Sequence, residues 1–166
     1  MVSKCEDLPF ETTLEVRDTC LCLHLQRAGR AVARRFDAAL RPLALTSGQF
    51  SLLMSLNRPE PASIGNVSSL LAMDRTTLTA NLKPLERRGL VTVAADHADK
   101  RTRRLTLTPA GRALLGAALP LWRRTHAEID RLLTGSSPDR LRADLRALHC
   151  GDCVSKPNNF LQCPAL

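Results

Sequence analysis

Aromatic residues are scarce in this chain. They make up 3% of its 166 residues, and tyrosine does not occur, so a core must be built mainly from Leu, Ala and Val. Long apolar runs are missing as well, since none approaches the roughly 20 residues that a membrane-spanning helix requires. The N-terminus carries acidic residues and no apolar segment, and it lacks the pattern of a secretory signal. These absences predict a cytoplasmic protein with no membrane partner.

Motifs of the common enzyme classes are absent too. The chain has no glycine-rich nucleotide-binding loop, no Ser-His-Asp pattern and no H-E-x-x-H zinc motif. Its C-x-x-C pair, Cys150 and Cys153, closes a predicted helix, whereas a thioredoxin-type enzyme needs that pair at the start of one. We therefore predict that the chain is not an enzyme and requires no cofactor.

Positive charge is concentrated in about a quarter of the chain. The formal net charge is +8, and residues 74–112 carry nine basic and four acidic groups. A concentrated basic patch is typical of proteins that bind polyanions. Charge alone does not distinguish a polyanion-binding surface from a basic face that is merely solvated. The local sequence patterns are needed to distinguish the two.

Apolar periodicity predicts a mainly helical chain. Residues 11–41 carry an apolar stripe at intervals of three, four and seven residues, and Leu23 lies opposite that stripe. This pattern predicts one long helix that is apolar on two sides, and one of its neighbours could belong to another subunit. At the other end of the chain, residues 151–166 contain Pro, Gly and Asn without periodicity, which predicts a loose, cysteine-containing tail.

The middle of the chain predicts short helices and a β-hairpin. A helix is expected at residues 63–72, and alternating segments predict strands at 90–95 and 103–107. Gly89 is expected to close the helix before the first strand. The other predicted helices begin at N-terminal capping residues, with a capping box at the first: Thr46, Asp74, Thr108 and Ser137.

Two short helices followed by a hairpin are the pattern of a winged helix-turn-helix. In that fold the second helix lies in the DNA major groove, with its N-terminal residues at the base edges. Arg can form two hydrogen bonds with guanine, Asn can do so with adenine, and the Thr methyl can contact the thymine methyl. The predicted recognition helix spans residues 74–88, and its candidate DNA-binding residues are Arg75, Thr76, Thr77, Thr79, Asn81 and Lys83.

The tip of the hairpin is strongly basic. A tip rich in Arg can enter the minor groove of DNA, where the negative potential is high, and Arg suits that position better than Lys. Asp96 and Asp99 would repel phosphates, so we expect them to orient the arginines through ion pairs. The candidate DNA-binding residues of this wing are Lys100, Arg101 and Arg103.

These motifs resemble the MarR (multiple antibiotic resistance regulator) family. The segments MDRTTLTANLKPLERRGLVTV and DHADKRTRRLTLTPAG are similar to the recognition helix and wing of that family. The resemblance covers about residues 12–149. Lys100 stands where Arg is more usual, and the family pattern D-x-x-D-x-R-x-x-x-L-x-L-T-x-x-G is filled by Asp96, Asp99, Arg101, Leu105, Leu107, Thr108 and Gly111.

The resemblance implies a homodimeric transcriptional regulator. Residues 11–41 and 109–150 would form a helical dimerisation region, and residues 42–108 would form the winged DNA-binding domain. The dimer would repress genes by binding a double-stranded, pseudo-palindromic operator. A small effector, often an aromatic or other organic anion, would bind between the two regions and release the DNA. Candidate effector contacts are His24, Arg27 and Arg30.

Two cysteines near the start of the long helix suggest a second kind of effector. Some MarR relatives sense hydroperoxides through a reactive Cys near this point, with Tyr partners that this chain lacks. Cys20 and Cys22 are therefore candidates for redox sensing or for filling space at an interface. On one continuous helix, residues two apart point about 200° apart, so these two thiols would not face one ion.

The C-x-x-C pair adds a possible metal site. Cys150 and Cys153 have a spacing that can hold a soft metal or form a disulfide, and Cys20 and Cys22 are candidate partners for a metal or metalloid ion. Thiol-based sensing of an oxidant or a metalloid therefore stays open beside an organic anion. The alternative function is a thiol-rich protein that sequesters metal and binds DNA only incidentally.

Overall fold

The chain folds into seven α-helices and a small sheet in the part that a computed structural model describes. That part is residues 8–96 and 99–151, the last three by their backbone only. The helices are α1 Phe10–Thr19, α2 Leu21–Leu40, α3 Ser47–Ser55, α4 Ile64–Leu70, α5 Arg75–Arg87, α6 Pro109–Asp130 and α7 Pro138–Gly151, and the strands are β1 Ala62–Ser63, β2 Val91–Ala95 and β3 Arg103–Leu107. Within these residues, no helix combines the length and apolar character that crossing a bilayer would need.

The predicted capping residues act as expected. The Thr46 hydroxyl accepts from the Gln49 amide at 3.2 Å, and the Gln49 side chain accepts from the Thr46 amide at 3.1 Å, which completes the capping box of α3. The Thr108 hydroxyl accepts from the Gly111 amide at 3.0 Å and begins α6. Gly89 has a positive φ of 68° and ends α5. The mainly helical fold with a β-hairpin wing is confirmed.

The prediction of one long helix at residues 11–41 is wrong. Cys20 has an extended backbone (φ −69°, ψ 103°) and separates α1 from α2. Asp, Thr and Cys are weak helix formers, the Thr19 hydroxyl donates to the Glu15 carbonyl, and α1 buries no residue that would offset this weakness. Because Cys20 is not helical, the 200° separation expected between Cys20 and Cys22 on one continuous helix does not hold.

The sheet has a strand that the sequence patterns did not indicate. Its order is β1-β3-β2, and all neighbours are antiparallel. In β1, Ala62 pairs with Leu105 and Ser63 pairs with Arg104. This two-residue strand joins the segment before α4 to the wing, so the hairpin is attached to the helix-turn-helix on one edge.

The core lies mainly inside the winged domain. Its most deeply buried large side chains come from α2, α3, α4, α5 and β3: Leu40, Leu52, Leu53, Val67, Leu78, Leu85, Leu105 and Leu107. Trp122 of α6 extends this core, because its ring stacks on Phe36 at 6.5 Å and on Phe50 at 6.3 Å between centroids. Aromatic packing therefore joins α2 and α6 to the first helix of the winged domain.

An ionic cluster ties α7 to the end of α6. Arg142 donates to both carboxylate oxygens of Asp130 at 2.7 Å and to Asp139 at 2.7 Å. The His126 ring lies 4.7 Å from the Trp122 ring, and its Nδ1 is 3.4 Å from Asp130 Oδ2. His126 therefore links the aromatic contacts of Trp122 to the ionic cluster, and Arg142 links that cluster to α7.

Candidate nucleic-acid interface

The turn between α4 and α5 sets the start of α5, the predicted recognition helix. Ala72 has a left-handed φ of 49°, and the Met73 amide donates to the Ser68 carbonyl at 3.0 Å. Asp74 then caps α5 by accepting from the Thr77 amide at 2.9 Å and from the Thr77 hydroxyl at 2.6 Å. The hydroxyl, followed by the amide, lowers the pKa of the Asp74 carboxyl. A negatively charged carboxylate at the N-terminus of a helix is stabilised by the positive end of the helix dipole.

The inner face of α5 secures it in the winged domain. Leu78, Leu82 and Leu85 follow one another at intervals of four and three residues, and all are buried. Arg88, just after the helix, donates to the carbonyls of Leu43 at 3.1 Å and Ala44 at 2.6 Å. The spacing of the leucines is a local signal for a buried helix face, whereas the sequence offers no local sign of the Arg88 contacts.

The outer face of α5 forms a shallow hollow. The residues that line it come from two turns of one side of the helix: Arg75, Thr76, Thr79, Ala80 and Lys83. Four of them are candidates from the sequence. Ala80 was missed because it is not polar, although its spacing of four residues from Thr76 places it on the same face.

Asn81 lies apart from that hollow. Its amide donates to the Thr77 carbonyl at 2.9 Å, and a Cβ added to Gly48 of α3 would be only 3.0 Å from its Oδ1. The half-buried Asn81 side chain therefore packs between the two helices. Thr77 stays exposed, but its hydroxyl serves the cap of Asp74.

The wing presents three of the predicted cations. Lys100, Arg101 and Arg103 are all exposed. Asp99 shapes the turn by accepting from the Arg101 amide at 3.0 Å and from the Thr102 hydroxyl at 2.8 Å. Asp99 therefore orients the backbone at Arg101 and forms no ion pair with an arginine side chain in the described residues.

The predicted ion pair of Asp96 has a different arginine as its partner. Asp96 pairs with Arg104, which also donates to the Pro61 carbonyl at 3.4 Å. The ion pair joins the two strands of the wing, and the bond to Pro61 ties the wing to the loop before β1. The structure thus places Asp96 against Arg104, an arginine of β3 that is not among the candidate DNA-binding residues. Residues 97 and 98, which also belong to the hairpin tip, lie outside the described residues.

The candidate effector residues are spread along the exposed part of α2. His24 Nε2 is 3.1 Å from the Asp18 carbonyl oxygen, and Arg30 donates to Gln26 at 3.3 Å. Arg27 is exposed. A cleft of about 540 Å³ lies further along, between α2 and α6, and its charged lining residues are Arg35, Arg124 and Glu128. The cleft is therefore lined by other residues than the three that the sequence suggested.

The described cysteines are free thiols. Cys20 is half-buried at the break between α1 and α2, and Cys22 is exposed and accepts from Gln26 Nε2 at 3.3 Å. No group of three His, Cys, Asp or Glu side chains arranged to hold a metal is found among the described side chains. Cys153 and the side chain of Cys150 lie outside them, so their metal-binding and redox roles stay predictions.

Comparison with known proteins identifies the family. Residues 45–102, which include α3, α4, α5 and β2, match the model of the MarR family. The chain is 36% identical to the M. tuberculosis transcriptional regulator MosR, solved in complex with DNA. The two structures have a TM-score of 0.73, and the match covers 82% of this chain and 98% of MosR. The chain belongs to the MarR family.

Two further transcriptional regulators are similar to the chain, one over nearly its whole length and one over more than half of its length. CouR, a transcriptional repressor solved with a 23-mer DNA duplex, is 29% identical, with a TM-score of 0.70 and coverage of 86% of this chain and 99% of CouR. TtmR, an HTH-type transcriptional regulator of Methylorubrum extorquens, is 36% identical over 99 residues, which are 60% of this chain and 51% of TtmR. The chain spans about half the length of the curated relatives that it matches.

Membership of the MarR family confirms two predictions. The winged helix-turn-helix fold is that of MosR and CouR. MarR proteins are DNA-binding transcriptional regulators, which confirms a regulator of this type and not an enzyme. The hollow of α5 and the basic wing are the surfaces of this MarR protein whose chemistry suits DNA.

Proposed function

We propose that this MarR-family chain binds a pseudo-palindromic operator as a homodimer and represses transcription until an effector releases it. The observation that carries the proposal is the placement of two cationic surfaces on one domain, the outer face of α5 and the tip of the wing. A recognition helix in the major groove and a basic wing near the minor groove would bind DNA together. CouR, described as a repressor bound to DNA, supports the repressor role.

The dimer is supported by apolar side chains that one chain leaves exposed. A globular protein rarely exposes many large apolar side chains close together unless a partner covers them. Here they occur at both ends of the described chain, on α1, the first turns of α2, the turn after α6 and α7: Phe10, Val16, Leu21, Leu25, Leu132, Leu145 and Leu148. A second copy that interlocks these helices would bury them.

A charge placed on α7 is expected to separate the subunits. Leu145 is 39% exposed in one chain and Met54 of α3 is 40% exposed. The two positions therefore carry apolar side chains of nearly equal exposure, one on α7 and one in the winged domain. We expect Leu145→Asp to give monomers at micromolar concentration and to weaken operator binding at least tenfold, because an Asp would be buried in the interface. Met54→Asp should remain a dimer.

Light scattering and DNase footprinting would check this prediction. The wild-type dimer should protect two half-sites whose centres are about one helical turn apart. A wild-type chain that is monomeric at micromolar concentration and still protects such a site would contradict the proposal. Salt-sensitive DNA binding in the absence of metal would separate the regulator from the alternative of a metal-sequestering protein.

Two kinds of effector fit the described residues. The cleft between α2 and α6 has guanidinium groups from Arg35 and Arg124, which suit an organic anion. Cys20 directly precedes α2, and its free thiol is half-buried at the break between α1 and α2. A modification at that break would change how α1 and α2 pack, and therefore the spacing of the two recognition helices in a dimer.

Removing the two described thiols is expected to abolish thiol-dependent release. Wild type should lose operator affinity by roughly 5- to 150-fold on treatment with cumene hydroperoxide, arsenite or zinc, the range typical of allosteric coupling. The Cys20→Ser, Cys22→Ser variant should keep its affinity under the same treatment. An aromatic carboxylic acid serves as the control effector, because its action would not depend on thiols.

Electrophoretic mobility shifts would distinguish the outcomes. If wild type keeps its affinity under all three thiol-directed treatments, thiol sensing is excluded and the organic anion is favoured. If both proteins lose affinity, sensing belongs to other cysteines, and Cys150 and Cys153 should be substituted next.

A further inference from the structure

We propose that α5 recognises thymine in the operator through methyl groups, with Thr79 and Ala80 as the residues that determine this specificity. The inference rests on the proposed contact of α5 with the major groove. In that groove thymine is distinguished by its C5 methyl group, and guanine by two acceptors that suit Arg. The expected half-site therefore has thymine opposite the middle of α5 and a guanine near Arg75.

The hydroxyl of Thr79 is already engaged within the protein. It donates its proton to the Arg75 carbonyl at 2.7 Å, so it has no proton left to give to a base acceptor. This bond also fixes the side-chain rotamer, since the hydroxyl must face the preceding turn. Thr79 is nevertheless exposed and lines the hollow, so its methyl group is the part that remains to contact DNA.

The middle of the hollow offers methyl groups and few hydrogen-bond donors. Ala80 contributes only a methyl group, and it lies beside Thr79 on the same side of α5. Asn81, the one amide of this helix, is turned toward Thr77 and Gly48. The Thr76 hydroxyl lies in the first turn, where α5 begins.

Cations stand at the two ends of this apolar centre. Arg75 and Lys83 are eight positions apart, which corresponds to about 12 Å along a helix. Neither side chain has a hydrogen bond or ion pair to protein in the described residues. Arg75, at the helix N-terminus, is placed to reach a guanine edge, while Lys83 is placed to reach the DNA backbone. The apolar centre between them matches the methyl edge of thymine.

The experiment begins with selection of an operator by the full chain from a random duplex library. Each thymine of the selected half-site is then replaced by deoxyuridine, which removes only the C5 methyl and preserves every hydrogen-bonding group. We expect affinity to fall roughly fourfold for each contacted methyl, the factor that corresponds to burial of one such group. Thymines outside the contacted positions should tolerate the change.

Two matched variants of Thr79 separate the methyl from the hydroxyl. Thr79→Ser keeps the hydroxyl and its bond to the Arg75 carbonyl but removes the methyl. Thr79→Val keeps the methyl and removes the hydroxyl. We expect Thr79→Ser to lose the preference for thymine over deoxyuridine at one position, and Thr79→Val to retain it.

The possible outcomes are distinct. If every deoxyuridine duplex binds as tightly as its thymine counterpart, or if Thr79→Val loses the preference while Thr79→Ser keeps it, methyl recognition is overturned while DNA binding stands. If selection enriches no sequence, the proposed operator binding fails, and this inference fails with it. A preference lost only in Thr79→Ser supports the inference.

Discussion

Replacing Gly111 with Ala is expected to lower the free energy of unfolding by about 3 kcal/mol, at the upper end of the usual cost of overpacking. A Cβ at this position would lie 2.2 Å from the Leu90 carbonyl oxygen and 2.9 Å from a methyl carbon of Leu107. The Leu90 carbonyl cannot easily move, because it accepts from the Thr108 amide at 3.1 Å. The substitution would therefore push the start of α6 away from the wing.

Urea denaturation of Gly111→Ala beside Gly116→Ala would measure this effect. Gly116 lies in the same helix with nothing within 4 Å of its Cβ position, so Ala there should be neutral or stabilise the protein by up to about 1 kcal/mol. Equal stability of the two variants would show that the close approach of α6 to the Leu90 carbonyl is not maintained in solution.

Arg101→Ala is expected to weaken operator binding by about 1–3 kcal/mol and to reduce the salt dependence of binding by about one unit of slope. Arg101 is exposed. Asp99 accepts a hydrogen bond from the Arg101 backbone amide, so this contact fixes the backbone of the turn and does not use the guanidinium group. Loss of a cation at this tip removes an electrostatic contact and leaves the fold intact.

Arg140→Ala provides the matched control for the wing. Arg140 is exposed on α7, outside the winged domain, and only its backbone amide has a hydrogen bond to protein among the described residues. Fluorescence anisotropy at several salt concentrations should show an unchanged slope for this variant. Should Arg101→Ala match wild type in both affinity and slope, the wing does not contact DNA in the way proposed.

Much of the fold could be predicted because its signals are local. The caps at Thr46, Asp74 and Thr108 each involve a residue three positions away, so a short stretch of sequence contains the whole interaction. The hairpin is likewise encoded by alternation within each strand. The family pattern includes Gly111, and the structure supplies the reason, which is the contact with Leu90.

The features that were missed depend on contacts between distant parts of the chain. The strand β1 has two residues and exists only because β3 pairs with it. Arg88 reaches carbonyls 44 and 45 positions away. The break at Cys20 was missed for a related reason, because whether a weak helical stretch stays helical depends on packing, and no residue of α1 is fully buried in one chain.

The candidate site divides in the same way. By itself, the sequence determined that residues 74–104 carry a capped helix with Arg, Thr and Lys, followed by a basic hairpin, because composition and capping are properties of neighbouring residues. Only the tertiary structure decided which of these side chains remain exposed and free to contact DNA. Asn81 packs against α3 and Arg104 pairs with Asp96, whereas Ala80 joins the exposed face. Availability depends on which other elements surround a side chain, and that is decided only when the helices and strands pack together.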